Sequence, residues 1–417
     1  MPLNLADIWL TNRGSKIQSM IKLSDRVNSL AESATIAMAQ KSRELKAEGK
    51  DIISLSLGEP DFNTPDFVKE AAKKAVDENY SKYMPVPGYL DLREAIAAKF
   101  KRDNGLDYTA DQIVVSTGAK QSLINSILAL VNSGDEVIVP APYWVTYVEQ
   151  VRMAGGVPII IETSIDTDFK ITPNQLKEAI TSKSKLMIFS NPCNPTGSAY
   201  SENELAGIAK VVAKTDEFYV ISDEIYEHII FEGKNHSFAK FPGVYDKTIT
   251  VNGVSKAFAM TGWRVGYIGA PKEIAAACAK LQGQYTSGTG SISQRATKAA
   301  VEADPKEIQF MVEAFRRRRD LVLDLLRQID GLKINVPEGA FYVFPDVTSF
   351  FGKSYNGKTI ENATDLSLYL LDEAMVATVT GVAFGDPNCI RISYATSEDV
   401  LIEAISRIEK ALDKLEA

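Results

Sequence analysis

Lys256 is the residue of this chain best placed to act as a nucleophile. It ends the segment Asn252-Gly253-Val254-Ser255-Lys256, which follows the β-branched run TITV, and an apolar turn, AFAM, comes after it. A lysine flanked in this way loses hydration, gives up its proton readily and becomes nucleophilic. Eight residues on, Arg264 offers a planar fork of donors suited to a phosphate. Three more clusters follow other apolar runs. After KLMIF comes Asn191-Pro192-Cys193-Asn194-Pro195-Thr196-Gly197, in which two Asn-Pro steps form a rigid, non-helical loop and fix the Asn194 side chain. After FYVIS comes Asp223-Glu224-Ile225-Tyr226, and a carboxylate leaving a buried strand is costly unless a cation meets it. After VVS comes Thr117-Gly118-Ala119-Lys120, small residues that can aim free backbone amides at an anion. Each cluster alone also reads as ordinary turn, surface or core chemistry. In this order they supply an anion cup, a positioned amide, a buried acid, a phenol, an amine nucleophile and a guanidinium.

The elements that carry these clusters are short apolar strands separated by helices. Strand patterns fall at 112–116, 135–140, 157–161, 185–189, 218–222, 247–251 and 264–269. Helical patterns fall at 66–79, 90–103, 119–132, 173–181 and 201–214, with Leu92, Ile96 and Phe100 on one face of the second. That alternation predicts an α/β fold with a mostly parallel central sheet covered on both faces, and such sheets bind ligands at the C-terminal ends of their strands. A charged helix through Phe315 to Gln328, a strand at 340–344 and closing helices at 364–375 and 397–414 follow. We expect residues 66–303 to form a large domain, 21–65 and 304–417 a smaller one, and 1–20 an extension ahead of Met20. The Arg316–Arg319 run reads as a solvated helix face.

Composition narrows the functions available. The 417 residues carry 46 Lys and Arg against 54 Asp and Glu, a net charge of −8 that argues against a sequence-independent nucleic-acid binder. Three cysteines make no disulfide framework and suit a reducing, cytoplasmic setting. No apolar run is long enough to span a membrane. There are only two histidines, His228 reading as strand-edge packing and His236 as a loop residue. Proton transfer therefore rests on Lys, Tyr, Asp or Glu, and no metal is expected.

With these residues in view, the chain closely resembles the fold-type I pyridoxal-phosphate enzymes, specifically the class I aminotransferases. The resemblance runs from about Leu23 to the C-terminus. GVSKAFAMTGWRVG (253–266) fits the family's cofactor-attachment signature, and SLGEPDF, PYWVTY, SDEIYEH and RISYATSED look most like the thermophile-type bacterial aspartate aminotransferases. The resemblance implies pyridoxal 5'-phosphate as cofactor, with Lys256 forming the internal Schiff base and shuttling the proton. Asp223 would face the pyridine nitrogen, Tyr226 and Asn194 the ring oxygen, and Trp144 the ring face. Ser255 and Arg264, with the amides of Gly118, Ala119 and Lys120, resemble the phosphate-binding set. Tyr83 matches a tyrosine that reaches the neighbouring subunit's phosphate, which implies a homodimer. Arg391 matches the arginine that holds the substrate α-carboxylate, with Gly58 adding a backbone contact. Lys120 and Thr35 match the pair that reads a distal carboxylate.

Two departures bear on substrate. Gly253 stands where many members have serine, and Gln282 where the best-known aspartate aminotransferases have a carboxylate-binding arginine. The implied reaction is amino transfer from L-aspartate to 2-oxoglutarate, with prephenate or aromatic amino acids as alternatives. A different class, a phosphate-loop nucleotide hydrolase, is suggested by Gly-Lys-Ser-Tyr-Asn-Gly-Lys-Thr at 352–359, but neither a strand nor a helix adjoins that motif as the loop requires. Gly288-Thr289-Gly290 lacks the third glycine of a dinucleotide fingerprint, and a ligand-sensing regulator would need a DNA-binding module, which the acidic balance and about twenty extra residues do not supply.

Overall fold

The computed structural model describes residues 21–416, so the extension expected over residues 1–20 lies outside the described residues. A two-residue strand, β1 (Ile53–Ser54), precedes the main sheet. The main sheet has seven strands: β2 (Ile113–Ser116), β3 (Glu136–Pro140), β4 (Val157–Ile161), β5 (Ser184–Ser190), β6 (Tyr219–Asp223), β7 (Thr248–Gly253) and β8 (Gly266–Gly269). Their order is β2-β8-β7-β6-β5-β3-β4, and only β8 runs against its neighbours. This is the mostly parallel sheet that the strand-and-helix alternation predicts.

Both faces of the sheet are buried, which is why its strands read as continuous apolar runs. Successive residues point to opposite faces. Val137 and Val139 pack with Leu186 and Ile188 on one side, whereas Ile138, Met187 and Phe189 pack on the other. The first face is covered by helices 119–130 and 272–285, the second by helices 173–179 and 202–213. Helices 272–285 and 291–302 stand where no helical pattern was read. The first of them is rich in alanine, which blurs the contrast between an apolar and a polar face.

Beyond the main sheet lie β9 (Tyr342–Val343), the hairpin β10 (Ser354–Tyr355) and β11 (Lys358–Thr359), and then β12 (Val376–Ala377), β13 (Val379–Thr380) and β14 (Ile390–Ser393). β13, β14 and β9 form an antiparallel sheet, while β1 pairs in parallel with β12. The early segment is thereby tied to the late one.

Two readings of the sequence are corrected here. The arginine run is not one solvated face, because Arg318 and Arg319 are buried. Arg318 makes a two-pronged ion pair with Asp61 at 2.7 and 2.8 Å, and Arg319 packs on the Phe231 ring and donates to the Pro337 carbonyl. His228 sits in a turn after β6 rather than at a strand edge, with Nε2 3.3 Å from Glu227 and 3.6 Å from Asp103. The nucleotide-loop motif at 352–359 is the β10–β11 hairpin, turned by Asn356 and Gly357 with φ of 49° and 76°, the backbone such tight hairpins require. The next helix starts only at Ala363.

Candidate active site

Strands β2, β5, β6 and β7 all point the same way, so the segments that follow them meet at one edge of the sheet. There they wall a cavity of about 340 Å³. β6 delivers Asp223 as its last residue, fully buried. The Tyr147 hydroxyl donates to its Oδ2 at 2.7 Å and the Ile225 amide to its Oδ1 at 3.3 Å. Burial pushes the Asp223 carboxyl up to about 6, against the opposing pull of the Tyr147 and Ile225 bonds and the Lys256 charge. The turn after β7 brings Lys256 into the same cavity, its Nζ donating to the Gly58 carbonyl at 2.6 Å. Burial, assisted by the nearby Arg391 charge, lowers its ammonium to about 8.

Gly118 caps the helix Ala119–Leu130 from a left-handed φ of 80°. A side chain there would collide with the Arg264 guanidinium, so the small residue lets Arg264 lie across the helix start. Arg264 itself has φ of 57°, an uncommon conformation for a residue with a side chain, and donates to the Thr261 carbonyl at 2.8 Å. Ala119 and Ser255 line the cavity beside it. Lys120 is exposed at the cavity mouth, with Nζ 4.9 Å from the centre of the Trp144 ring. Desolvation by the walls, and secondarily the Arg264 charge, hold its ammonium below the usual lysine value.

Arg391, on β14, is 2% exposed. It donates to Asn194 Oδ1 at 2.9 Å and to the Ser56 carbonyl at 2.5 Å, while its Nε has no partner. Burial lowers its affinity for the proton. Its guanidinium lies 4.6 Å from the centre of the Tyr342 ring. Tyr226 and Tyr342 share one hydrogen bond of 2.7 Å between their hydroxyls. Thr35 and Gly58 complete the wall opposite.

The cavity thus unites the residues that the sequence singled out, with three exceptions. Gly118 lies outside its lining, behind the Arg264 guanidinium. Tyr83 is 99% exposed and lies outside the cavity. Gln282 is fully buried away from it, donating to the carbonyls of Val86 and Val115. The sequence reading missed Tyr147 and Tyr342. Tyr147 stands three residues after Trp144 and carried a signal as a polar tip on an apolar helix face. Tyr342 gave a weaker one, a single hydroxyl in the strand AFYVF, and only the pairing of β9 with β14 brings it to Arg391.

Behind the cavity, Glu224, Glu227, Lys99, Asn104 and Ser237 form a buried polar cluster. Burial raises Glu224 to about 7. It acts on Glu227 in the same direction, but the Lys99 ion pair and the His228 charge override it and hold that carboxyl at about 2. Asp103, Glu227 and His228 gather closely enough to chelate an ion, yet the Lys99 ammonium already supplies the cation there.

Comparison with known proteins agrees with this geometry. Residues 50–408 match the family described as aminotransferase class I and II. The chain is 50% identical over 402 residues to the Petunia hybrida bifunctional aspartate aminotransferase and glutamate/aspartate-prephenate aminotransferase, covering 95% of this chain and 84% of that protein. It superposes on the aspartate aminotransferase from Rhizobium meliloti with a TM-score of 0.92 and 42% identity, covering 95% of this chain and all of that one. With the Thermus thermophilus aspartate aminotransferase bound to maleate the TM-score is 0.89 and the identity 42%, over 94% of this chain and all of that one. With that family match over most of its length, the chain belongs to the class I and II aminotransferases, pyridoxal-phosphate enzymes that move amino groups between amino acids and oxo acids.

Proposed function

We propose that the chain is an aspartate aminotransferase that moves the amino group of L-aspartate to 2-oxoglutarate, giving oxaloacetate and L-glutamate. One observation carries the substrate assignment. Arg391 and Lys120 line the same cavity, and among the described residues neither has a carboxylate partner. Two cations free of carboxylate partners in one cavity suit a substrate with two carboxylates.

The residues fit pyridoxal phosphate. Asp223 is a buried acid whose protein partners are two neutral donors, so a cationic ring nitrogen would relieve it. The Gly118 cradle leaves room where a Cβ would strike Arg264. When bound, the cofactor supplies a carbonyl that captures the amine and a ring that takes up the electron pair left as the α-C–H bond breaks. Arg264, Ser255 and the amides of Gly118, Ala119 and Lys120 would hold its phosphate. Asp223 would keep the ring nitrogen protonated, Tyr226 and Asn194 would donate to the ring oxygen, and Trp144 would cover the ring face. Lys256, lowered to about 8, is partly neutral at working pH and so can take a proton from the substrate α-carbon and return it. Arg391 grips the α-carboxylate with Gly58 beside it, and Lys120 with Thr35 grips the distal one. Reconstituted protein should show a visible band that L-aspartate converts as oxaloacetate appears. A band that ignores aspartate would refute the substrate.

A second substrate is favoured by the cavity's rim, where the exposed Ile36 and Leu57 give it an apolar edge. Prephenate, a dicarboxylate that carries a cyclohexadiene ring, suits that edge, and the Petunia relative is named for it. Transamination of prephenate with glutamate as donor tests this. We also take the enzyme to be a cytoplasmic homodimer, with exposed Tyr83 reaching the neighbouring phosphate. In the same reading, residues 66–303 form the cofactor-binding domain, and 21–65 with 304–417 the smaller one.

A further inference from the structure

Tyr226 and Tyr342 are both buried, and each hydroxyl has the other as its hydrogen-bond partner. Two phenols bring two hydrogens to one bond. One hydrogen is therefore left without an acceptor among the described residues, a costly state for a buried donor. Its position follows from the surroundings. The Arg391 guanidinium lies 4.6 Å over the Tyr342 ring, and that positive charge makes Tyr342 the more acidic of two phenols that burial keeps neutral. In a neutral pair the more acidic hydroxyl donates. Gly58 confines the arrangement from the other side, because a Cβ there would strike the Tyr342 hydroxyl.

We propose that Tyr342 is a positioning residue: its hydroxyl donates to the Tyr226 oxygen, which leaves the Tyr226 hydrogen aimed into the cavity as a fixed donor. Chained donors polarise one another, so Tyr226 becomes a stronger donor to any oxygen anion placed before it. The inference rests on the functional reading above, in which that anion is the cofactor's ring oxygen. A donor to this oxygen stabilises its negative charge most when the lysine-linked nitrogen has lost its proton. Weakening the donor therefore raises the pH at which the visible band changes.

The test is a spectroscopic pH titration of reconstituted wild type, Tyr342→Phe, Tyr226→Phe and the double variant, without substrate. Tyr342→Phe keeps the ring under Arg391 and removes only the hydroxyl. Its midpoint should rise by a few tenths of a unit, the 10–30% by which one chained bond strengthens the next. Tyr226→Phe should rise by about one to two units, a whole charge-assisted bond. The double variant should match Tyr226→Phe, since Tyr342 acts through Tyr226. An unchanged midpoint in Tyr342→Phe, or a shift in the double variant beyond that of Tyr226→Phe, would overturn the proposal. Absence of any lysine-linked band in the wild type would instead overturn the functional reading beneath it.

Discussion

Asp223 sets up a stability experiment that can be worked from the structure. Its carboxyl moves from an ordinary 3.8 to about 6 in the folded chain because burial disfavours the charge. Between those values the unfolded chain loses this proton and the folded one keeps it, so folding stability falls as pH rises through that window. Above about pH 6 the full cost is present. Two units correspond to about 3 kcal/mol. Asp223→Asn removes the charge while leaving an amide oxygen to accept from Tyr147 or Ile225. Without cofactor, the variant should match wild type near pH 4 and exceed it above pH 6, by up to about 3 kcal/mol or several degrees of melting temperature. Added pyridoxal phosphate should reverse that order. A ring cation beside Asp223 rewards the carboxylate, so the stabilisation conferred by cofactor should grow from pH 4 to pH 6 in wild type and lack this component in Asp223→Asn. The assay is calorimetric or denaturant melting at several pH values, with and without cofactor. Identical pH profiles for the two cofactor-free proteins would refute the claim that Asp223 is held at a cost until a cation meets it.

Other predictions are briefer. Lys256→Ala should abolish transamination and the lysine-linked absorption band while leaving the far-ultraviolet circular dichroism unchanged; retained turnover would remove Lys256 from the chemistry. Because the Lys256 ammonium is lowered to about 8, cofactor capture by wild type should rise about tenfold per pH unit below that value and level off above it, followed by stopped-flow absorbance. Lys120→Met should lower kcat/KM for aspartate by about 10- to 150-fold, the worth of one charge-assisted bond, while an apolar amino acid loses far less; equal losses would show that Lys120 does not read the side chain. Arg318→Leu should destabilise the fold by about 2 kcal/mol in urea melts, because it strands the Asp61 carboxylate at a partly exposed site and takes the cation off the Phe62 ring, and a neutral result would show that the pair adds no net stability.

What the sequence disclosed and what it hid follow one rule. Strands and their ends are local patterns, so the clusters at Gly118, Asn194, Asp223 and Lys256 could be found and ordered without coordinates. Pairing across the chain is not local. Arg318 meets Asp61 across 257 positions, and Arg391 meets Ser56 across 335. Nothing in RRRR distinguishes the two buried guanidinia from the rest, because the ridge they occupy is defined by elements far away in sequence. Tyr342 was hidden for the same reason, and so was the partnership of Lys99 with Glu227, which spans 128 positions. The segment DEIYEH makes the point within six residues. Its three acids read alike, yet Asp223 faces the cavity, Glu224 is raised within a cage of hydroxyls and amides, and Glu227 is held low by a lysine.

The charge in the cavity explains why an acidic chain can serve anionic ligands. The net charge of −8 is a property of the whole surface. Inside the cavity, Lys120, Lys256, Arg264 and Arg391 face only Asp223 and Glu59, and the Thr261 hydroxyl already engages Glu59. The acids of the cluster behind are neutralised by Lys99 or held protonated by burial, so they take little from this local field. Gathering four cations with so few acids costs the free protein stability. Burial, first of all, lowers the proton affinities of Lys120, Lys256 and Arg391, and at Lys120 and Lys256 neighbouring positive charges add to that strain. A phosphate and two carboxylates remove it. On the functional reading proposed above, part of the affinity for cofactor and substrate is therefore stored in the folded chain before either arrives. On the proposed assignment, a substrate lacking the second carboxylate would leave Lys120 without an acidic partner, so a preference for dicarboxylates would follow from the charges of the cavity, before any steric fit is considered.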